Sequence, residues 1–185
     1  MTRNEFRPES RLEPWLRGPL PGISRLTMPA AHALAQSRAD IAMRAAGLSI
    51  EQVWMEPGGG PSVGFHLRHI AGSIDRLLTY AAGGNLTDDQ FHFLSEERIA
   101  GTPPTEATQL IAAAQSEIDE ALNVIRATPD EILFEARAVG RAKLPTSVFG
   151  LLFHIAEHTQ RHTGQLIATA RIVRGLDQCG PAIST

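Results

Sequence analysis

Near the C-terminal end, Val148, Leu152, Ile155, Thr159, His162, Leu166, Ala170 and Val173 recur at intervals of 4, 3, 4, 3, 4, 4 and 3 residues. This is the period of an α-helix, kept for about seven turns. A helix with one apolar stripe is marginal alone in water and must bury that stripe against other helices. The chain supplies three partners. Val63, Leu67, Ile70, Ile74 and Leu77 are spaced 4, 3, 4 and 3 in a segment expected from about Ser62 to Ala82, ahead of Gly83-Gly84. AAHALAQSRADIAMRAA, between Pro29 and Ala46, is rich in helix formers and closed by Gly47. A third segment has Thr105 as its expected N-cap after Pro103-Pro104 and runs to Ala127, where Thr128-Pro129 stops it. The C-terminal helix is expected to begin at Thr146 or Ser147 and to be closed by Gly175.

Between these segments, EPGGGPS is a loop, and NLTDDQFHFLSEERIAGTPP reads as a loop with one helical turn. Residues 130–145 alternate irregularly and have room for a short extended piece. There is no internal repeat and no convincing sheet. The expected fold is therefore all-α, an antiparallel four-helix bundle over residues 27–176. Residues 1–26 contain Pro8, Pro14, Pro19 and Pro21 beside the apolar Phe6, Trp15, Leu16, Leu20 and Ile23. They read as an extended N-terminal arm, packed on its own body or on a partner subunit. Residues 177–185 read as a C-terminal tail.

Composition removes several functions. The formal net charge of −3 argues against a nucleic-acid or membrane-surface binder. No apolar run approaches the roughly 18 residues of a spanning helix, and MTRNEFRPES has no secretory h-region. The single cysteine, Cys179, rules out an internal disulfide and fits a cytoplasmic setting. Its Gly/Pro-flanked position reads as an unremarkable terminal thiol.

Three of the seven histidines fall on the C-terminal helix, in HIAEHTQRHTGQ. His162 takes a stripe position that leucine would ordinarily fill; His158 and His154 sit on the two preceding turns, each about 40° further round. A pair at i, i+4 points the same way and can share a metal ion, although hydrogen-bonded core histidines give the same pattern. A metal site requires a third ligand from another helix. SVGFHLRHIAGSIDRLL offers His66 and His69, about 60° and 120° off its stripe, so periodicity mildly favours His66. Two further metal patterns fail. His154 to His158 spell H-x-x-E-H with Glu157 as the would-be base, but no glutamate follows to complete an inverted zinc-peptidase site. No histidine has a glutamate three residues before it, which excludes a di-iron bundle site.

Taken together, SVGFHLRHIAGSIDRLL and LLFHIAEHTQRHTGQLI resemble the DinB-like (YfiT-type) family of metal-dependent four-helix-bundle enzymes. The resemblance spans roughly residues 28–174. It implies a three-histidine site with one ligand on the second helix and an H-x-x-x-H pair on the last, followed by x-G-Q. These positions fall on His69, His158 and His162, with Thr163-Gly164-Gln165 as the tail. Many members carry a further histidine directly before the last ligand; here that place is Arg161, and His154 is an extra histidine one turn earlier. His154, Gln165 and His66 are the candidate outer partners, and Gly164 a candidate for close helix approach.

The resemblance also implies a divalent ion (Zn²⁺, Ni²⁺ or Fe²⁺) with open positions, a small-molecule substrate, a low-molecular-weight thiol cosubstrate and a homodimer. Thiol-dependent S-transferase chemistry is the expected activity. The alternatives are a metal-dependent hydrolase and a non-enzymatic dimeric interaction or stress-response bundle. Arg68 and Arg161 flank ligand positions and are candidates for attracting an anionic substrate. No general base stands out, because Glu157 lies about 100° from His158 on the helix.

Overall fold

The computed structural model describes residues 12–178. Phe6, Pro8 and Cys179 lie outside the described residues. Six α-helices and one hairpin make up the described chain: α1 (Met28–Ala45), α2 (Ile50–Trp54), α3 (Val63–Ala81), α4 (Asp88–Glu96), α5 (Ala107–Ala127), β1 (Ala136–Val139), β2 (Leu144–Ser147) and α6 (Val148–Gln178).

The four long helices surround one core. α1 packs against α5 and α6, and α3 packs against the same two from the other side. Leu34 and Ile41 of α1, Leu67, Ile70 and Ile74 of α3, Ile118 and Ile125 of α5, and Leu152, Ile155 and Leu166 of α6 are fully buried. Each set recurs at helical spacing, which is why the seams of α3 and α6 could be read in advance. Several boundaries differ from expectation. The N-cap of α5 falls on Glu106. Thr105 instead offers its carbonyl to the Trp54 indole N–H at 2.9 Å and its hydroxyl oxygen to Arg68 Nη2 at 3.1 Å. Gly175 does not close α6, which continues to Gln178 and takes in two residues of the expected tail.

Two short helices go beyond expectation: α2 lies in residues left unassigned before the EPGGGPS loop, and α4 lengthens the single helical turn expected within NLTDDQFHFLSEERIAGTPP. Ser49 and Thr87 cap α2 and α4 through capping boxes with Gln52 and Gln90. No residue of α4 is buried, so no stripe announces it. It is seated on α3 by Phe93, which occupies the space a Cβ on Gly72 would need, 2.6 Å away. Gln90 Nε2 adds hydrogen bonds to Asp75 and Thr79 of α3. The extended piece expected within 130–145 is an antiparallel hairpin, with Arg137 opposite Thr146 and Val139 opposite Leu144. Arg137 Nε ties it to the end of α3 by donating to the Ala81 carbonyl at 2.8 Å.

The described part of the N-terminal arm turns once at Pro14–Leu16 and lies on α1 of its own chain. His32 Nε2 lies 3.0 Å from the Gly18 carbonyl, and Arg126 Nε donates to the Pro21 carbonyl from α5.

Candidate metal centre

α3 and α6 run side by side, and their histidines meet between them. The ligand-type nitrogens of His69, His158 and His162 lie within 4.8 Å of one another. His69 Nε2 and His158 Nε2 are only 2.8 Å apart. Two bare nitrogen lone pairs at that distance repel, so one carries a proton or a cation lies between them. His66 does not join this group. It is buried one turn earlier on α3, with Nδ1 3.2 Å from His162 Nδ1.

The ring orientations follow from their outer contacts. His69 Nδ1 is 2.7 Å from Glu97 Oε2. A carboxylate only accepts, so Nδ1 holds a proton, which leaves Nε2 as the atom that can turn to a metal ion. Glu97 Oε1 in turn accepts from Arg76 Nη2 at 2.8 Å. The Nδ1 contact between His162 and His66 leaves His162 Nε2 available in the same way. His158 Nδ1 is buried without a hydrogen-bond partner among the described residues. Three imidazoles converging through nitrogen, one of them oriented by a carboxylate, form a donor set suited to a borderline divalent ion.

Electrostatics keep the rings ready for such an ion. Burial, reinforced by the nearby His69, pushes His158 down to about 4 and His162 to about 3. Burial and the same neighbour lower His66 to about 4. Ordinary histidine titrates near 6.5, so at neutral pH these three rings carry no positive charge that an arriving cation would have to overcome. The unfolded chain takes up protons at these positions from about 6.5 downward, while the folded chain resists until about 4 or 3. Stability of the metal-free protein is therefore fully present above the unfolded value and is lost as pH falls through this window. The urea midpoint of metal-free protein is expected to drop between about pH 7.5 and about pH 5, and to drop less in His162→Gln. Equal pH sensitivity in the two proteins would contradict this account.

The remaining sequence candidates are placed elsewhere. His154 is exposed, 3.4 Å from Glu157 Oε2, with its ring centroid 5.3 Å from that of His158. Glu157 faces outward and is held by Arg161, whose hydrogen bond keeps its carboxyl below the usual range. Arg161 is thereby engaged as well. Arg68 stacks over Trp54 and donates to the Glu96 carbonyl and Thr105, a fastening between α3 and the loop before α5. Gln165 is exposed. Gly164 is exposed too, and nothing lies within 4 Å of where its Cβ would be, so close helix approach does not require it.

Glu97 and Arg76 went unnoticed in the sequence. Arg76 follows His69 by two helical turns on one face, a legible signal; Glu97 lies beyond α4, in a stretch without a stripe. Beside the histidines is a cavity of about 330 Å³. Its lining includes His69, His154 and His158 together with Tyr80, Leu86 and Phe91.

Comparisons with known proteins bear on the fold and the family. One solved structure with the same fold is YfiT from Bacillus subtilis, described as a probable metal-dependent hydrolase with an unusual four-helix bundle topology. The two share 15% identity, with a TM-score of 0.61 over 84% of this chain and 92% of that one. Comparison with curated protein sequences gives no significant match. The DinB superfamily model matches residues 33–166, a span that holds all three clustered histidines together with Glu97 and Arg76. The chain belongs to the DinB superfamily.

Proposed function

We propose that His69, His158 and His162 hold one divalent metal ion, and that the protein is a metal-dependent enzyme transferring a group to or from a low-molecular-weight thiol. The convergence of three imidazole nitrogens within 4.8 Å carries the metal reading. A divalent ion with an open position supplies Lewis acidity and lowers the pKa of a coordinated thiol or water. The chain's own residues supply the rest. Glu97 orients His69, His66 orients His162, and the cavity lined by Tyr80, Leu86 and Phe91 has room for a small molecule.

The state of the nearby carboxylates supports thiol chemistry over hydrolysis. Glu97 is committed to His69 and Arg76, and Glu157 to Arg161. Neither is free to serve as a general base, so the ion alone must ionise the nucleophile, and a thiol with a free pKa of about 8.5 needs a much smaller shift than water at about 15.7. Hydrolysis is the second reading, favoured by the description of the similar Bacillus subtilis protein. Metal-reloaded protein, a low-molecular-weight thiol and an electrophilic acceptor are the components of the test. Consumption of thiol that requires both metal and His162 is expected. Hydrolysis of an activated ester at full rate without thiol would decide for the second reading.

A further inference from the structure

The cavity beside the histidines has a neighbour. A second cavity, of about 310 Å³, shares Tyr80, Leu86 and Phe91 with it. Its far side is Gly140, Arg141 and Lys143, the turn between β1 and β2. The two chambers are thus neighbours with Tyr80, Leu86 and Phe91 as common lining, the histidines lining one and the hairpin tip the other.

Charge sets this pair of chambers apart from the two larger cavities. No aspartate or glutamate lines either one among the described residues. Glu13 and Asp40 line the groove under the N-terminal arm, and Asp75 and Glu117 line the cavity between α3 and α5. In a chain of net charge −3, that is a local excess of positive charge facing a concave surface. Within the first chamber Arg76 is matched by Glu97. The cations of the second are not matched by a carboxylate among the described residues. The Arg141 guanidinium sits 5.5 Å over the Phe91 ring, and Lys143 Nζ donates to the neutral Asn85 amide oxygen at 2.9 Å. These contacts hold both side chains against the chamber and leave their charge unspent. Lys143 is also fixed at the backbone, with φ +50 and its N–H bonded to the Gly140 carbonyl.

We propose that the second chamber is an anion subsite and that the molecule processed at the histidines is an organic acid. Its reactive head lies at His69 and His158, its apolar body between Tyr80, Leu86 and Phe91, and its carboxylate against Arg141 and Lys143. Only the placement of the head rests on the metal reading above; the subsite stands on the shared lining and the unmatched cations. A carboxylate there gains charge-assisted hydrogen bonds that an equally long neutral molecule cannot make.

The test uses full-length protein, metal-reloaded and metal-free. The probes are ω-mercaptoalkanoic acids of increasing chain length, with ω-mercaptoalkanols of matched length as neutral counterparts. In reloaded protein the acids are expected to bind about tenfold more tightly than the alcohols at one preferred length. The double variant Arg141→Gln/Lys143→Gln, checked for an unchanged thermal midpoint, should lose that preference and bind the alcohols as before. In metal-free protein the preference for acid over alcohol should persist although the thiol no longer contributes. Persistence there with no thiol binding by reloaded protein would sink the metal reading and support the subsite. Equal affinity of acid and alcohol at every length, or an acid preference that survives the double substitution, would overturn the subsite.

Discussion

Untagged protein stripped and reloaded with Zn²⁺, Ni²⁺ or Fe²⁺ is expected to retain about one ion per chain, and His162→Ala or His158→Ala to retain none after dialysis. The expectation follows from ligand number. Three imidazoles from two packed helices form a preorganised chelate, and removing one leaves two donors that water competes with easily. His154→Ala should keep full occupancy, because that ring is exposed and its nitrogen lies near Glu157 rather than inside the cluster. His66→Phe should keep occupancy but weaken affinity by about tenfold, since it removes the contact that fixes the His162 ring. Elemental analysis gives the occupancy, and competition with a chelator gives the affinity. Full occupancy in both His158→Ala and His162→Ala would end the three-histidine reading.

Glu97→Gln should have two separable effects. Glu97 is 3% exposed and Arg76 is 8% exposed, so the substitution strands a guanidinium in a nearly closed site. Breaking a buried pair from one side costs about 3 kcal/mol or more. The same substitution removes the negative charge behind His69, which lowers metal affinity by about tenfold or more. Adding Arg76→Met should restore much of the stability, because no unpaired charge remains, while affinity stays low. Urea unfolding of metal-free protein reads the first effect and chelator competition the second. A wild-type unfolding midpoint in the single variant would show that the pair carries no such load.

α3 and α6 were legible because each buries a stripe at 3.6-residue spacing, and α1 and α5 because helix formers lie between Gly and Pro boundaries. That logic ran out where burial did. α4 exposes Phe91, Phe93 and Leu94 and buries nothing fully, so its only advance notice was the Thr87 to Gln90 capping box. Periodicity also mildly preferred His66 to His69. The structure gives a reason: His66 is the more buried ring and belongs to the core side of α3, while His69 looks toward the cavity. The resemblance, not the wheel, singled out His69. Thr105 misled because a threonine after two prolines has the chemistry of a cap, but Arg68 and Trp54 had already claimed its oxygens. Glu97 was out of reach, since its partners lie 28 and 21 residues away and no local pattern links them.

Gly72 contributes no donor, no charge and no motif. A single methyl at that place would meet the Phe93 ring at 2.6 Å and Arg76 Nη1 at 2.7 Å. Phe93 seats the short helix that delivers Glu97, and Arg76 is the counter-charge that Glu97 pairs with at 2.8 Å. Anyone transplanting the three histidines into another bundle would thus be copying an incomplete recipe. The helix that bears the first histidine must also leave its backbone bare one turn further on, so that an aromatic ring can rest there and bring the supporting carboxylate with it.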